Sequence, residues 1–144
     1  MHLLVVHGPN LNLFGRREPH IYGSVTLPQI DTRLAELADT LGCRLSTIQS
    51  NHEGALIDFF QGHIDDAQGA LINPGGFTQH SVALHDCIKA MPFPVVEVHL
   101  SNLAAREEWR RHSIIAPACR GTVAGLGWRS YTAALRALVE LLAD

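Results

Sequence analysis

Short apolar runs of strand length alternate along this chain with segments of helical period, and no other feature narrows the possible folds as far. Leu3-Leu4-Val5-Val6 is apolar at every position, as a strand buried on both faces must be, and it stops at His7-Gly8-Pro9. The signal recurs at 69–73, which runs into Pro74-Gly75-Gly76, and at 95–98, which leads into His99. Weaker strands are expected at 44–49 and 122–126. Between them, Thr26-Leu-Pro-Gln29 has the form of a capping box, and Ile30, Leu34, Leu37, Ala38 and Leu41 follow at helical spacing up to a terminating Gly42. Ser50-Asn-His-Glu53 reads as a second capping box ahead of Leu56, Ile57, Phe60 and Ile64. Further helices are expected over 78–90, stopped by Pro92 and Pro94, and over 130–142, with Tyr131, Leu135, Leu138 and Leu142 on one face.

Five strands separated by helices imply right-handed βαβ units and a parallel sheet covered on both sides. The expectation is therefore α/β: a flavodoxin-like, doubly wound five-stranded parallel sheet. At 144 residues the chain suits one domain, 1–144, with one long aperiodic connection, 8–24. Its second part, around 15–24, is a candidate lid. In such sheets ligands bind outside the carboxyl ends of the strands. Polar residues do gather there: His7 to Asn10, Asn73 to Gly76, and His99 to Asn102.

Composition removes several functions. Eleven Lys and Arg against fourteen Asp and Glu leave a net charge of −3, which argues against nucleic acid or an anionic membrane held by bulk electrostatics. No stretch approaches the roughly 18 apolar residues of a membrane span. The opening MHLLVVHGPN lacks a basic leader region, so it is expected to be a first strand and not a signal peptide, with the cytoplasm as compartment. Cys43, Cys87 and Cys119 are too few and too scattered for a disulfide framework and are expected to be free thiols.

Nine histidines invite a metal reading. There is no HExxH or HxH, however, and on one helix His80 and His85 would stand about 140° apart. His2, His20, His52, His63 and His112 are expected at the surface, and no metal or cofactor is expected. The Gly125-Leu-Gly127-Trp-Arg-Ser130 turn lacks the third glycine of a dinucleotide fingerprint, and a tight strand-to-helix turn accounts for it equally.

Acid–base chemistry on a small anion is better supported. Strand alternation puts Glu97 and His99 on one face, where the carboxylate can orient the imidazole. Arg16 and Arg17, with Arg106, Arg110 and Arg111, are candidate cationic contacts, and Asn10 and Asn73 are neutral donors. Tyr22 shares the lid with Arg17, whose charge would favour the phenolate, so it is a candidate base. Each of these residues also has an ordinary explanation as packing, a solvated charge or a hydrogen-bonded strand end.

His7-Gly-Pro-Asn-Leu-Asn12, Gly15-Arg-Arg-Glu-Pro19 with Tyr22-Gly23, Asn73-Pro-Gly-Gly76, Ser81-Val-Ala-Leu84, Glu97-Val-His-Leu-Ser-Asn102 and Arg106-Glu-Glu-Trp-Arg-Arg-His-Ser113 resemble the type II 3-dehydroquinate dehydratases, in order and over nearly the whole chain. The resemblance implies a cofactor-free anti elimination of water from 3-dehydroquinate, a step of the shikimate pathway to aromatic amino acids. By its motifs Tyr22 would be the base, supported by Arg17, and His99 the acid, oriented by Glu97. Asn10 would hold a water on the enolate. Asn73, Gln79, the Leu100 amide, Ser101 and Arg110 would bind substrate, and Asp86 would reach a neighbouring subunit's site in a dodecamer built as a tetramer of trimers.

One position departs from the family pattern. Gln79 stands where the family has a substrate-binding histidine, and its amide donates and accepts hydrogen bonds but carries no charge. If residues 78–90 form one helix, His80 lies about 100° away and does not replace that ring. The departure therefore leaves open a dehydratase of altered affinity, a paralogue acting on a related hydroxy-keto acid, or a local rearrangement, and the rival from another class is a non-catalytic metabolite-binding protein that keeps the sheet-end pocket. A flavin-binding electron carrier rests on the fold alone.

Overall fold

A computed structural model describes residues 1–144. Five strands, β1 (His2–His7), β2 (Arg44–Gln49), β3 (Gly69–Asn73), β4 (Val95–His99) and β5 (Gly121–Ala124), form one sheet in the order β2-β1-β3-β4-β5. All four pairings are parallel. This is the flavodoxin-like order, as expected. The helices are α1 (Pro19–Tyr22), α2 (Leu27–Leu41), α3 (Glu53–Gly62), α4 (Val82–Ala90) and α5 (Arg129–Ala143). None is long and apolar enough to cross a membrane.

Side-chain alternation along β1 builds two cores from consecutive residues. Leu3 and Val5 pack with Ile30 and Leu34 of α2 and with Tyr131, Leu135 and Leu138 of α5, while Leu4 and Val6 pack with Leu56 and Phe60 of α3 and Leu84 and Ile88 of α4. Each of these four β1 side chains is fully buried, so one strand ties both helical layers together. The three cysteines are free, and burial pushes the Cys119 thiol up to about 12, a shift to which the charge of Glu97 adds.

The Thr26 capping box forms with both arms in place, and Gly42 ends α2 in the left-handed region at φ 72°. Two expectations at helix starts fail. His52, not Ser50, precedes α3, and no side chain caps it; the Ser50 hydroxyl turns back to the His52 amide, and Glu53 hydrogen-bonds Ser81 across the structure. A tertiary contact has taken the acidic arm of the expected box. The fourth helix begins at Val82 and not at Thr78, because residues 75–79 form a 3-10 turn and Ser81 caps α4 by accepting from the Leu84 amide. Smaller shifts occur at β5, which ends at Ala124, and at β4, which extends to His99.

The carboxyl ends of β1 and β3 interlock through glycines. A Cβ on Gly8 would sit 2.4 Å from the Pro74 carbonyl oxygen, and one on Gly75, at φ 56°, would sit 2.9 Å from that of Pro9. Any side chain there would force the two loops apart. The close approach brings Asn10 and Asn73 to the rim of one pocket.

Candidate active site

A pocket of about 110 Å³ lies beyond the carboxyl ends of the strands, lined by residues of the 8–24 connection, the β3 and β4 ends and the segment after β4. Asn10, Arg17, Tyr22, Asn73, Gln79, His99, Leu100, Ser101 and Arg110 all face it. Residues from four parts of the chain meet because parallel strands deliver every exit loop to the same end of the sheet.

One side of the pocket is fixed by β4. Glu97 is fully buried and His99 nearly so, and their side chains share a face, with His99 Nε2 2.7 Å from Glu97 Oε2. The second carboxylate oxygen accepts from the Ser113 hydroxyl at 3.0 Å. That hydroxyl in turn accepts from the Ile115 and Ala116 amides. A carboxylate only accepts, so His99 Nε2 must donate to it, which leaves Nδ1 to exchange a proton with whatever occupies the pocket.

The opposite side comes from the connection after β1. Asn10 adopts a left-handed conformation, φ 67°, which asparagine tolerates better than most residues, and its amide donates to the Asn51 side chain at 2.9 Å. Leu11 and Phe14 anchor the segment in the α2/α5 core. Arg17 Nη2 then donates to the Tyr22 hydroxyl at 3.3 Å, and its guanidinium carbon lies 4.7 Å from the centre of the Tyr22 ring. A cation beside the oxygen stabilises negative charge there.

The sequence holds two tyrosines, and only Tyr22 meets the pocket. Tyr131 is fully buried on α5, 2.8 Å from His7 Nδ1, while His7 Nε2 lies 2.8 Å from Asp31 of α2. The Asp31 carboxylate accepts from Nε2–H, so Nδ1 accepts and the Tyr131 hydroxyl donates. Burial holds this phenol well above its ordinary pKa, Asp31 adding to the shift and a hydrogen bond with Asn73 opposing it. His7, counted among the polar strand ends, therefore points away from the pocket. Strand alternation gives the reason: His7 shares the face of Leu3 and Val5, toward α2 and α5.

Of the five candidate arginines, Arg17, Arg106 and Arg110 line the pocket. Arg106 was only one of several possible cations in the sequence, yet it donates to the Ser101 hydroxyl at 3.1 Å and stacks 5.4 Å from the Tyr22 ring centre. Its Nε is buried without a hydrogen-bond partner, an arrangement that an anionic ligand would relieve. Arg111 instead donates to the Arg106 carbonyl and shapes the loop. Arg110 lies 3.0 Å from the Glu107 carboxylate.

Gln79 lies on the 3-10 turn before α4 and not on that helix, so a helical offset does not describe its relation to His80. His80 packs edge-on against Phe77, outside the pocket. The Gln79 amide donates to the Arg110 carbonyl at 3.1 Å, which leaves its own carbonyl oxygen as the acceptor available to the pocket. Asp86 lies on α4, exposed and paired with His85, and does not reach the pocket of its own chain.

The family described as Dehydroquinase class II matches residues 1–139. A 3-dehydroquinate dehydratase from Roseiflexus castenholzii is 53% identical over 139 residues, covering 96% of this chain and 88% of that one. One from Pelotomaculum thermopropionicum is 49% identical over 141 residues and covers 98% of each. Among solved structures, the type II dehydroquinase from Butyrivibrio crossotus superposes with a TM-score of 0.94 at 37% identity, covering 96% of this chain and 97% of that one. A 3-dehydroquinate dehydratase-like protein from Bifidobacterium longum reaches 0.75 at 26% identity, covering 100% and 99%. With the sheet order, the pocket and the matched length in agreement, this chain belongs to the class II dehydroquinase family.

Proposed function

We propose that this protein is a 3-dehydroquinate dehydratase of the shikimate pathway that eliminates water in the anti sense through an enolate. The observation that carries the reading is the pairing of Arg17 with Tyr22 on one side of the pocket and of Glu97 with His99 on the other. A binding protein has no use for a supported base facing an oriented acid. An elimination needs both.

In this mechanism the Tyr22 phenolate, held by Arg17, takes the proton alpha to the substrate ketone. The electron pair moves to the ketone oxygen as an enolate, with a water held by Asn10 beside the developing charge. The enolate then collapses, the C1–oxygen bond breaks, and His99 gives its Nδ1 proton to the departing hydroxyl, which leaves as water. Glu97 stabilises the imidazolium before transfer. Arg106 and Arg110 make the pocket cationic for a carboxylate, and Asn73, Gln79, the Leu100 amide and Ser101 bind substrate hydroxyls and carboxylate. Closure of the 15–24 lid would strengthen these interactions by excluding water. Asp86, exposed on α4, contacts substrate in a neighbouring subunit of a dodecamer made of four trimers. The compartment proposed is the cytoplasm.

Adding 3-dehydroquinate to purified protein is expected to raise the enone absorbance of 3-dehydroshikimate, at the same rate with and without EDTA. No turnover at millimolar substrate would sink the reading.

A further inference from the structure

The end of the sheet opposite the pocket brings together three side chains of metal-ligating chemistry from distant parts of the sequence. His2 opens β1, His63 follows α3, and Asp66 lies in the turn leading to β3. One donor atom from each lies within 4.8 Å of the others. The sequence expectation that His2 is a surface residue fails, since it is 5% exposed, and no motif spacing links residues 2, 63 and 66. We propose that His2, His63 and Asp66 form a binding site for a divalent transition ion of the zinc or nickel type.

The chemistry of the donors selects the ion. Two imidazoles with one carboxylate suit zinc, nickel or cobalt, whereas magnesium and calcium favour all-oxygen sets. His2 already has the support that metal-bound histidines usually carry on their second nitrogen: its Nε2 is 2.7 Å from the Ser46 hydroxyl of β2. That contact fixes the ring; Nδ1 lies 3.3 Å from the Asp66 backbone carbonyl, a hydrogen bond that a bound ion would replace, and 4.0 Å from Asp66 Oδ1. His2 is anchored by its backbone as well, because its amide donates to the Gln68 side chain at 2.6 Å and its carbonyl accepts from the Gln68 amide at 2.9 Å.

His63 Nδ1 is 2.9 Å from the same Asp66 oxygen, and the His63 ring stands edge-on to both His2 and Phe59. With zinc–nitrogen bonds of about 2.1 Å, tetrahedral ligands stand about 3.4 Å apart, so the wider separations need to close by up to about 1.4 Å and the His63–Asp66 pair needs to open by about 0.5 Å. The half-exposed His63 and the exposed Asp66 can supply that by rotating, with His2 as the fixed point. Three protein ligands beside solvent leave the remaining positions to water. A bound ion would clamp the start of β1 to the α3–β3 turn, a strand length away from the pocket, and so would stabilise the fold without altering turnover.

The test uses tag-free, EDTA-stripped protein titrated with zinc chloride by calorimetry, with thermal melts in parallel. Saturation at one ion per chain and a rise in Tm are expected, with no rise in magnesium chloride. Ser46→Ala should weaken binding about tenfold by releasing the His2 ring. His63→Ala and Asp66→Asn, both changes at the surface, should weaken it at least as much, whereas His85→Ala, which breaks the unrelated His85–Asp86 pair, should not. Unchanged zinc affinity in His63→Ala and Asp66→Asn, loss of binding in His85→Ala, or an equal Tm rise in magnesium would overturn the proposal.

Discussion

His99 and Tyr22 face one pocket from backbones of different kinds. His99 ends β4, a strand paired on both sides, and its partner Glu97 is fully buried with both carboxylate oxygens engaged. Tyr22 ends a one-turn helix in the connection after β1, is half-buried, and is held by two guanidiniums near its ring, one hydrogen bond and a tilted contact with Phe14. The proposed acid is positioned by the sheet, so whatever stabilises the fold also orients His99. The proposed base is positioned by side chains that belong to the pocket itself, and its geometry can respond to a ligand without disturbing the core.

The largest effect expected from this contrast is catalytic. Tyr22→Phe removes the proposed base while leaving the ring against Arg17 and Arg106. It should lower kcat about 100- to 10,000-fold with little change in KM or Tm. Steady-state assays with 3-dehydroquinate decide this, and near-normal kcat would end Tyr22's part as base.

Tyr131→Phe should do the reverse. It strips the donor from buried His7 Nδ1, so stability should fall by about 1–3 kcal/mol in urea melts. The reaction should remain within the same order of magnitude, because Tyr131 does not line the pocket and reaches it only through its hydrogen bond with Asn73. A kcat loss matching that of Tyr22→Phe would show that the two tyrosines are not separated in the way the hydrogen bonds suggest.

The smallest effect is expected at Gln79. Gln79→His can keep the bond to the Arg110 carbonyl with one ring nitrogen and offer the other to substrate. KM should fall by less than about tenfold with kcat nearly constant, since the site gains one charge-assisted contact and no chemistry. A change confined to kcat would mean that residue 79 acts on the reacting atoms.

Much of this is legible in the sequence itself. Leu3 to Val6 announces a strand buried on both faces, and the carboxyl-end rule then gathers Asn10, Asn73 and His99 at one place. Glu97 and His99 meet because two residues apart on a strand is one face. Where the reading failed, a distant group had intervened: Glu53 left its expected capping role for Ser81, and the segment before α4 tightened into a 3-10 turn. His7 could have been separated from His99 by the parity of Leu3 and Val5, a signal present in the sequence but outweighed by its place at a strand end.

The period of the apolar residues determined the layers, the strand set and the end of the sheet at which a site would lie, because burial of alternating or helical faces is a local code. Only the tertiary structure decided which polar side chains are spent on the fold and which are left for chemistry. His7, Tyr131 and Asp31 satisfy one another beneath the sheet, Gln79 braces Arg110, and His2 meets His63 and Asp66 at the far end. Hydrogen bonds and ligand sets depend on distances of a few ångströms between residues tens of positions apart. No pattern within a single segment carries that information.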